Sequence, residues 1–329
     1  MQHCPHAQNS RRRRDATAVR LIVLARLQQA LTLGALLLAA AWALLCARAG
    51  HPGWGLAGAA LIIGGYAVVL ALEFMLLGLV HGDDPAPRAS VAQLAQAWWS
   101  EVRAAPTVFC WRQPFQSQRW PDNLPADAAG RRGVLLVHGF VCNRGLWNPW
   151  LQRLTAAGVP VMAVNVEPVF GSIDDGGYAI EEAMCRLEAC TGLAPVVACH
   201  SMGGLTLRRW WAEQGDDARV HHVITLGTPH QGTWLARFAT SRNARQMQQG
   251  SAWLATLAAR EPAGRSQRFT CFYSHCDNIV FPPSTATLPG ADNQHLPAVA
   301  HVHMADHPLP WAELQRRLQH DAHAARPER

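Results

Sequence analysis

Residues 197–204 read Val197-Ala198-Cys199-His200-Ser201-Met202-Gly203-Gly204, and an apolar run from Pro195 to Cys199 leads into them. A serine set directly after a short apolar strand, and followed by small residues and a helix-compatible segment, has the layout of a nucleophile elbow. There the chain turns sharply from strand to helix and lifts one hydroxyl clear of the backbone. The usual pattern is G-x-S-x-G; here Cys199 stands at the first glycine position and Gly203 at the second. Both positions call for small residues because strand and helix converge there, and cysteine is small enough to serve at some cost. Alone, the fragment can also be read as an ordinary strand-to-helix turn, so its surroundings must decide.

On the amino-terminal side, Gly133–Val137 is a short apolar run bounded by glycine, as expected of a parallel strand covered on both faces. It runs into His138-Gly139-Phe140. A helix over Trp147–Ala157, a strand over Val159–Val166 and a helix over Tyr178–Ala189 then lead to the elbow strand. Beyond Ser201 a helix to about Gln214 precedes the strand Val220–Leu226. Further strands are expected over Arg268–Ser274 and His295–Ala300, with a closing helix over Trp311–His320. Strand and helix alternating at this pitch predict one doubly wound, mostly parallel α/β sheet.

Four stretches fall in order along this framework: Val134–Phe140 (VLLVHGF), Cys199–Gly204 (CHSMGG), Leu226–Thr233 (LGTPHQGT) and Ser274–Pro282 (SHCDNIVFP), with His301 beyond them. Together they resemble the α/β-hydrolase lipases and esterases of bacteria, from about Arg131 to the end of the last helix. The resemblance implies a serine hydrolase of carboxylic esters acting through an acyl-Ser201 intermediate. A serine hydroxyl needs a base, and the base an orienting acid. In the family's order of Ser, acid, His, Asp277 is the acid and His301 the base. Asp292 and Asp306 compete for the first role and His303 for the second, while His295 and His307 crowd the same region. The backbone N–H groups of Met202 and Phe140 are the expected oxyanion donors. His138, His200 and His230 read as packing and loop-shaping residues. No cofactor is called for, and the histidines lack orderly metal-ligand spacing. A thioesterase or acyltransferase would use the same triad, and a catalytically silent membrane-bound interaction module is the reading from another class.

The hydrolase framework is expected to occupy residues 131–321, with a tail at 322–329. Within it, the insertion 233–267 carries Trp253, Leu254 and Leu257 at helical spacing. That pattern fits a lid or acyl-pocket wall, and equally a helix that covers the core.

The amino-terminal third has another character. Residues 1–29 are polar and arginine-rich and are expected to lack order. Two uncharged runs follow, at 30–47 and from 54 onward, the second continuing apolar past Glu73 to residue 80. Each approaches or exceeds the roughly 18–20 residues that cross a bilayer, which predicts a transmembrane helical hairpin. The first run could also be a cleaved signal peptide ending at Ala47-Arg48-Ala49, or a buried helix. Arginines cluster before the first run (Arg11–Arg14, Arg20, Arg26) and after the second (Arg88, Arg103, Arg112, Arg119), with Arg48 alone between them. The positive-inside bias therefore puts both ends in the cytoplasm, as a multi-pass protein of the bacterial inner membrane. Glu73 sits at headgroup level or faces the partner helix. Residues 81–130 connect the two parts; their helix from Val91 to Arg103 and tryptophans 98, 99, 111 and 120 suit an interfacial segment or one packed on the following domain.

Composition adds limits. Lys+Arg total 29 against Asp+Glu 23, all 29 being arginine, yet they are scattered rather than gathered in an aromatic-interleaved stripe, which disfavours nucleic acid. The expected partners are a lipid or acyl-ester substrate and the membrane, with no obligate protein partner. Nine cysteines without a CxxC pair read as free thiols in a reducing compartment, with Cys185–Cys190 as the one tempting bridge.

Overall fold

The apolar runs pair side by side in a computed structural model of the chain, which describes residues 10–324 and the side chains of residues 23–319. The strands are β1 (Val134–Val137), β2 (Val161–Val164), β3 (Val196–His200), β4 (His222–Leu226), β5 (Phe269–Tyr273) and β6 (Asp292–His295). They form one sheet in the order β2-β1-β3-β4-β5-β6, every neighbouring pair parallel. The helices are α1 (Ser10–Arg48), α2 (Pro52–Gly64), α3 (Tyr66–Val80), α4 (Val91–Pro106), α5 (Gln113–Gln116) and α6 (Asn148–Ala156). After them come α7 (Gly177–Thr191), α8 (Met202–Trp211), α9 (Arg242–Gln246), α10 (Ala252–Arg260) and α11 (Pro308–Ala324).

Successive strand residues point to opposite faces, and the core divides accordingly. Leu135, Val137, Val197 and Cys199 pack with Ile180, Met184 and Leu187 of α7 and Leu205 and Trp211 of α8. Val134, Leu136, Val196 and Ala198 pack with Trp150, Leu151 and Leu154 of α6 and Leu314 of α11. Helices thus cover both faces, which is why the strands read as continuous apolar runs rather than alternating ones. The last strand departs from expectation. It is Asp292–His295, mostly exposed at the sheet edge, and not His295–Ala300. Extension cannot continue because Pro297 lacks an N–H and Ala298 turns at φ 56°.

The amino-terminal third also differs from its reading. Helix α1 begins at Ser10, inside the segment expected to lack order. Its stretch Val23–Arg48 is long and apolar enough to cross a membrane. The second run is not one straight helix: α2 and α3 meet at Gly65 with a bend of 51°, and only together would they be long enough. Among the described residues a pair of straight spans is therefore not present; the Gly64-Gly65 pair, without side chains to brace the turn, is where the run gives way.

These helices rest on the α/β unit. Phe74 and Leu77 of α3 and Ala97 of α4 share a buried cluster with Cys276, Phe281 and Ala300. Trp98 donates its indole N–H to the Ala67 carbonyl at 2.9 Å, and Gln28 of α1 bonds Gln113 of α5 at 2.8 Å. The segment 81–130 is accordingly packed on its neighbours, although Trp99 and Trp111 stay exposed. Helix α10 buries Leu254 and Leu257 in the core and donates Trp253 Nε1–H to Asp174 at 3.0 Å. Cys190 is a free thiol, so the Cys185–Cys190 bridge is not formed.

Candidate active site

Ser201 lies between β3 and α8 with φ 55° and ψ −131°, a backbone conformation that side chains other than glycine's rarely adopt. Holding it costs of order 1–3 kcal/mol, so the surroundings must over-determine it. They do: the Ser201 N–H donates to Leu226 O at 2.8 Å, and its carbonyl accepts from Gly204 N at 3.1 Å and Thr228 Oγ1 at 2.9 Å. Gly203 is needed because a Cβ there would lie 2.6 Å from the His138 carbonyl oxygen and 2.7 Å from that of Val137. Cys199 is fully buried in the core, so the first elbow position here takes a packed side chain. Burial pushes its thiol well above the ordinary range, which keeps it protonated.

The fold brings Asp277 and His301 together. His301 Nδ1 lies 2.9 Å from Asp277 Oδ2, and both side chains are buried. Asp277 Oδ1 accepts from the N–H groups of Ile279 (2.9 Å) and Val280 (2.8 Å), which fixes the carboxylate plane. Burial pulls the His301 imidazole down, but the charge and hydrogen bond of Asp277, helped by Glu101 and Glu73, hold its pKa above 6.5. The competitors lie elsewhere. Asp292 is exposed on β6, Asp306 pairs with Arg112 at 2.9 Å, and the His303 ring stacks edge-on with His307.

Ser201 and His301 line one cavity of about 740 Å³, within the range of small-molecule sites. Phe140 and Val141 also line it, and Val141 sits at φ 53°, unusual for a β-branched residue. The Met202 N–H is the first of α8 and so has no intrahelical acceptor. Among the described residues the Phe140 N–H meets no backbone acceptor either. The loop before Phe140 is pinned by His138, whose Nδ1 faces Gly139 O at 2.8 Å while Nε2 accepts from Val166 N at 3.0 Å. No residue of 233–267 lines this cavity.

Three contributors escaped the sequence reading. Glu101 of α4 is buried, and its carboxylate accepts from Val302 N (3.0 Å) and His303 N (3.1 Å), next to His301. Glu73 of α3 accepts from Asn278 Nδ2 at 2.7 Å, and Asn278 Oδ1 in turn accepts from the His301 N–H at 3.3 Å. Gly227 follows β4 at φ 56°; a Cβ there would stand 2.8 Å from Asp277 Oδ2 and 3.0 Å from His301 Nδ1. Glu73 carried a signal as a lone charge in an apolar run, and Gly227 lay inside the Leu226–Thr233 stretch, whereas nothing marked Glu101.

With this geometry in view, two solved structures are informative about the fold. Lipase BlEst2 of Bacillus licheniformis in its mature form superposes with a TM-score of 0.51 at 16% identity, covering 60% of this chain and 96% of that one. Lipase B of Aspergillus fumigatus gives 0.51 at 20% identity, covering 63% of this chain and 58% of that one. The chain has the α/β-hydrolase fold. The sequence matches no protein-family model and no curated protein.

The buried histidines of this α/β-hydrolase fold predict how it responds to acid. Burial lowers His138 to about 4, His200 to about 3 and His230 well below its ordinary value; the charge of His301 adds to the effect at His200 and that of Arg208 at His230. Each therefore gains a proton on unfolding below about pH 6.5, so its contribution to stability is complete above that pH and declines toward pH 3–4. Glu101 acts oppositely. Burial raises it to about 7 against its two backbone hydrogen bonds, so its contribution is largest below pH 4.5 and is lost as pH rises toward 7. His301, raised, contributes fully below 6.5 and is flat across the acid range. Three groups outweigh one, and the denaturation midpoint should fall on acidification from pH 6.5 to 4.5. A midpoint that rises over that interval would contradict this assignment of charge states.

Proposed function

We propose that the protein is a membrane-attached serine hydrolase that cleaves carboxylic esters of lipid acyl chains. The observation that carries this reading is the buried His301–Asp277 pair, whose His301 lines one cavity with a serine held on an elbow at φ 55°. Asp277 engages Nδ1, which leaves Nε2 of His301 as the nitrogen to accept the Ser201 proton. Ser201 Oγ then adds to the ester carbonyl carbon, and the N–H groups of Phe140 and Met202 stabilise the oxyanion. Collapse breaks the carbon–oxygen bond to the alcohol, which leaves with the proton from His301. Water, deprotonated by the same imidazole, next cleaves the acyl-Ser201 ester and frees the carboxylic acid.

Attachment through Val23–Arg48 is supported by its length and by exposed Leu31, Leu37, Leu38 and Leu45 along it. If the bent α2–α3 pair returns across the bilayer, the arginines before Val23 and after residue 80 put both ends, and with them the catalytic unit, in the cytoplasm. The test is to label membranes containing the protein with a fluorophosphonate probe. Wild type should be labelled and Ser201→Ala should not, and the labelled band should survive a carbonate wash. A folded wild type that takes no label would sink the hydrolase reading, and release by carbonate would sink the anchor. A reporter fused after Arg329 that is active only outside the cytoplasm would reverse the orientation.

A further inference from the structure

The cavity that reaches Ser201 is shared between two parts of the chain that the sequence keeps apart. Its floor, with Ser201, His301 and Phe140, belongs to the α/β unit, whereas Leu36 of α1, Ile63 of α2 and Leu70 of α3 form its far wall. The wall is mostly apolar, with Thr32, Tyr66 and Glu73 as its polar members, and its outer edge is open in a particular direction. Leu36 and Ile63 line the cavity and yet are 50% and 52% exposed, so they mark the mouth. That mouth gives onto the exposed apolar surface of the same helices, where Leu37, Leu61 and Val68 are 71%, 67% and 58% exposed. Tyr66, beside the mouth, ties α3 to α4 by donating its hydroxyl to Val102 O at 2.6 Å. A largely apolar channel that opens on an apolar belt at one end and ends at a nucleophile at the other suits a long hydrocarbon chain.

Resting on the hydrolase reading above, we propose that the amino-terminal helices are the acyl-binding half of the active site. The acyl chain of a bilayer lipid enters laterally between α1 and α2–α3 and lies along Leu36, Ile63 and Leu70, with its ester carbonyl at Ser201. The helices thereby select the substrate as well as hold the protein to the bilayer.

The test uses the full-length protein in detergent micelles and p-nitrophenyl esters of acetate and dodecanoate. Filling the channel with Leu70→Trp, or its mouth with Ile63→Trp, should lower the ratio of kcat/KM for dodecanoate over acetate by about tenfold or more. Leu38→Trp, on the outer face, should leave the ratio unchanged. A ratio that neither channel variant moves, while both still take the fluorophosphonate label, overturns the proposal and leaves the hydrolase reading standing. Wild type that hydrolyses neither ester overturns that reading instead. A second measurement needs no turnover: Ser201→Ala protein in phosphatidylcholine vesicles is photolysed with a phosphatidylcholine whose acyl chain carries a diazirine. Cross-links at Ile63 or Leu70 are expected; cross-links confined to outer-face residues such as Leu37 and Leu38 overturn the lateral channel whether or not the enzyme turns over.

Discussion

Replacing His301 with alanine should lower kcat by about a million-fold on any ester that the wild type hydrolyses, close to the whole contribution of a serine–histidine pair acting as a unit. The reason is geometric. Asp277 holds the Nδ1 side of the ring at 2.9 Å, and the ring and Ser201 border one cavity, so removing the imidazole leaves the serine proton without an acceptor. Because the two residues act together, Ser201→Ala combined with His301→Ala should be no slower than either alone. His303→Ala serves as the comparison, since that ring faces His307 while its backbone N–H bonds Glu101. A variant lacking His301 that keeps a tenth of wild-type turnover, with His303→Ala inactive, would transfer the base to His303.

Asp277→Asn should cost about 10⁴-fold in kcat, the scale of losing the group that sets the tautomer and stabilises the imidazolium. The pH profile provides the more specific readout. In wild type the acidic limb of kcat/KM should lie above pH 6.5, because Asp277 outweighs the effect of burial on His301 and the ring must be neutral to accept a proton. With asparagine in place, burial is opposed only by the more distant Glu101 and Glu73, so the limb should move to lower pH. Measuring kcat/KM from pH 5 to 9 on both forms decides the point. A limb that stays in place would mean that Asp277 does not set the charge of the base.

Much of the α/β unit could be read from residue order. Apolar runs such as Val134–Val137 and Val196–His200 announce strands buried on both faces, because a parallel sheet under two helical layers leaves no polar side. The edge strand was misplaced for the opposite reason. Asp292–His295 is exposed and polar, so hydropathy pointed to the neighbouring apolar residues, which Pro297 and the turn at Ala298 keep from pairing. The insertion 233–267 shows a similar ambiguity: Leu254 and Leu257 have the spacing of any buried helical face, and spacing cannot tell a core from a substrate wall.

By itself the sequence determined the alternation of strand and helix, the elbow around Ser201 and the order in which a serine, an acid and a histidine follow one another. It also determined that the run 30–47 is uncharged and long enough to approach a bilayer span. Which groups meet was decided only by the tertiary structure. Glu101 reaches the backbone of Val302 across 201 positions, and Glu73 reaches Asn278 across 205. Neither separation leaves a local pattern, because such contacts depend on how helices dock and not on what lies beside them in the chain. The same docking turns an apolar stretch, readable from hydropathy as an anchor, a signal peptide or a buried helix, into one wall of the cavity that ends at Ser201.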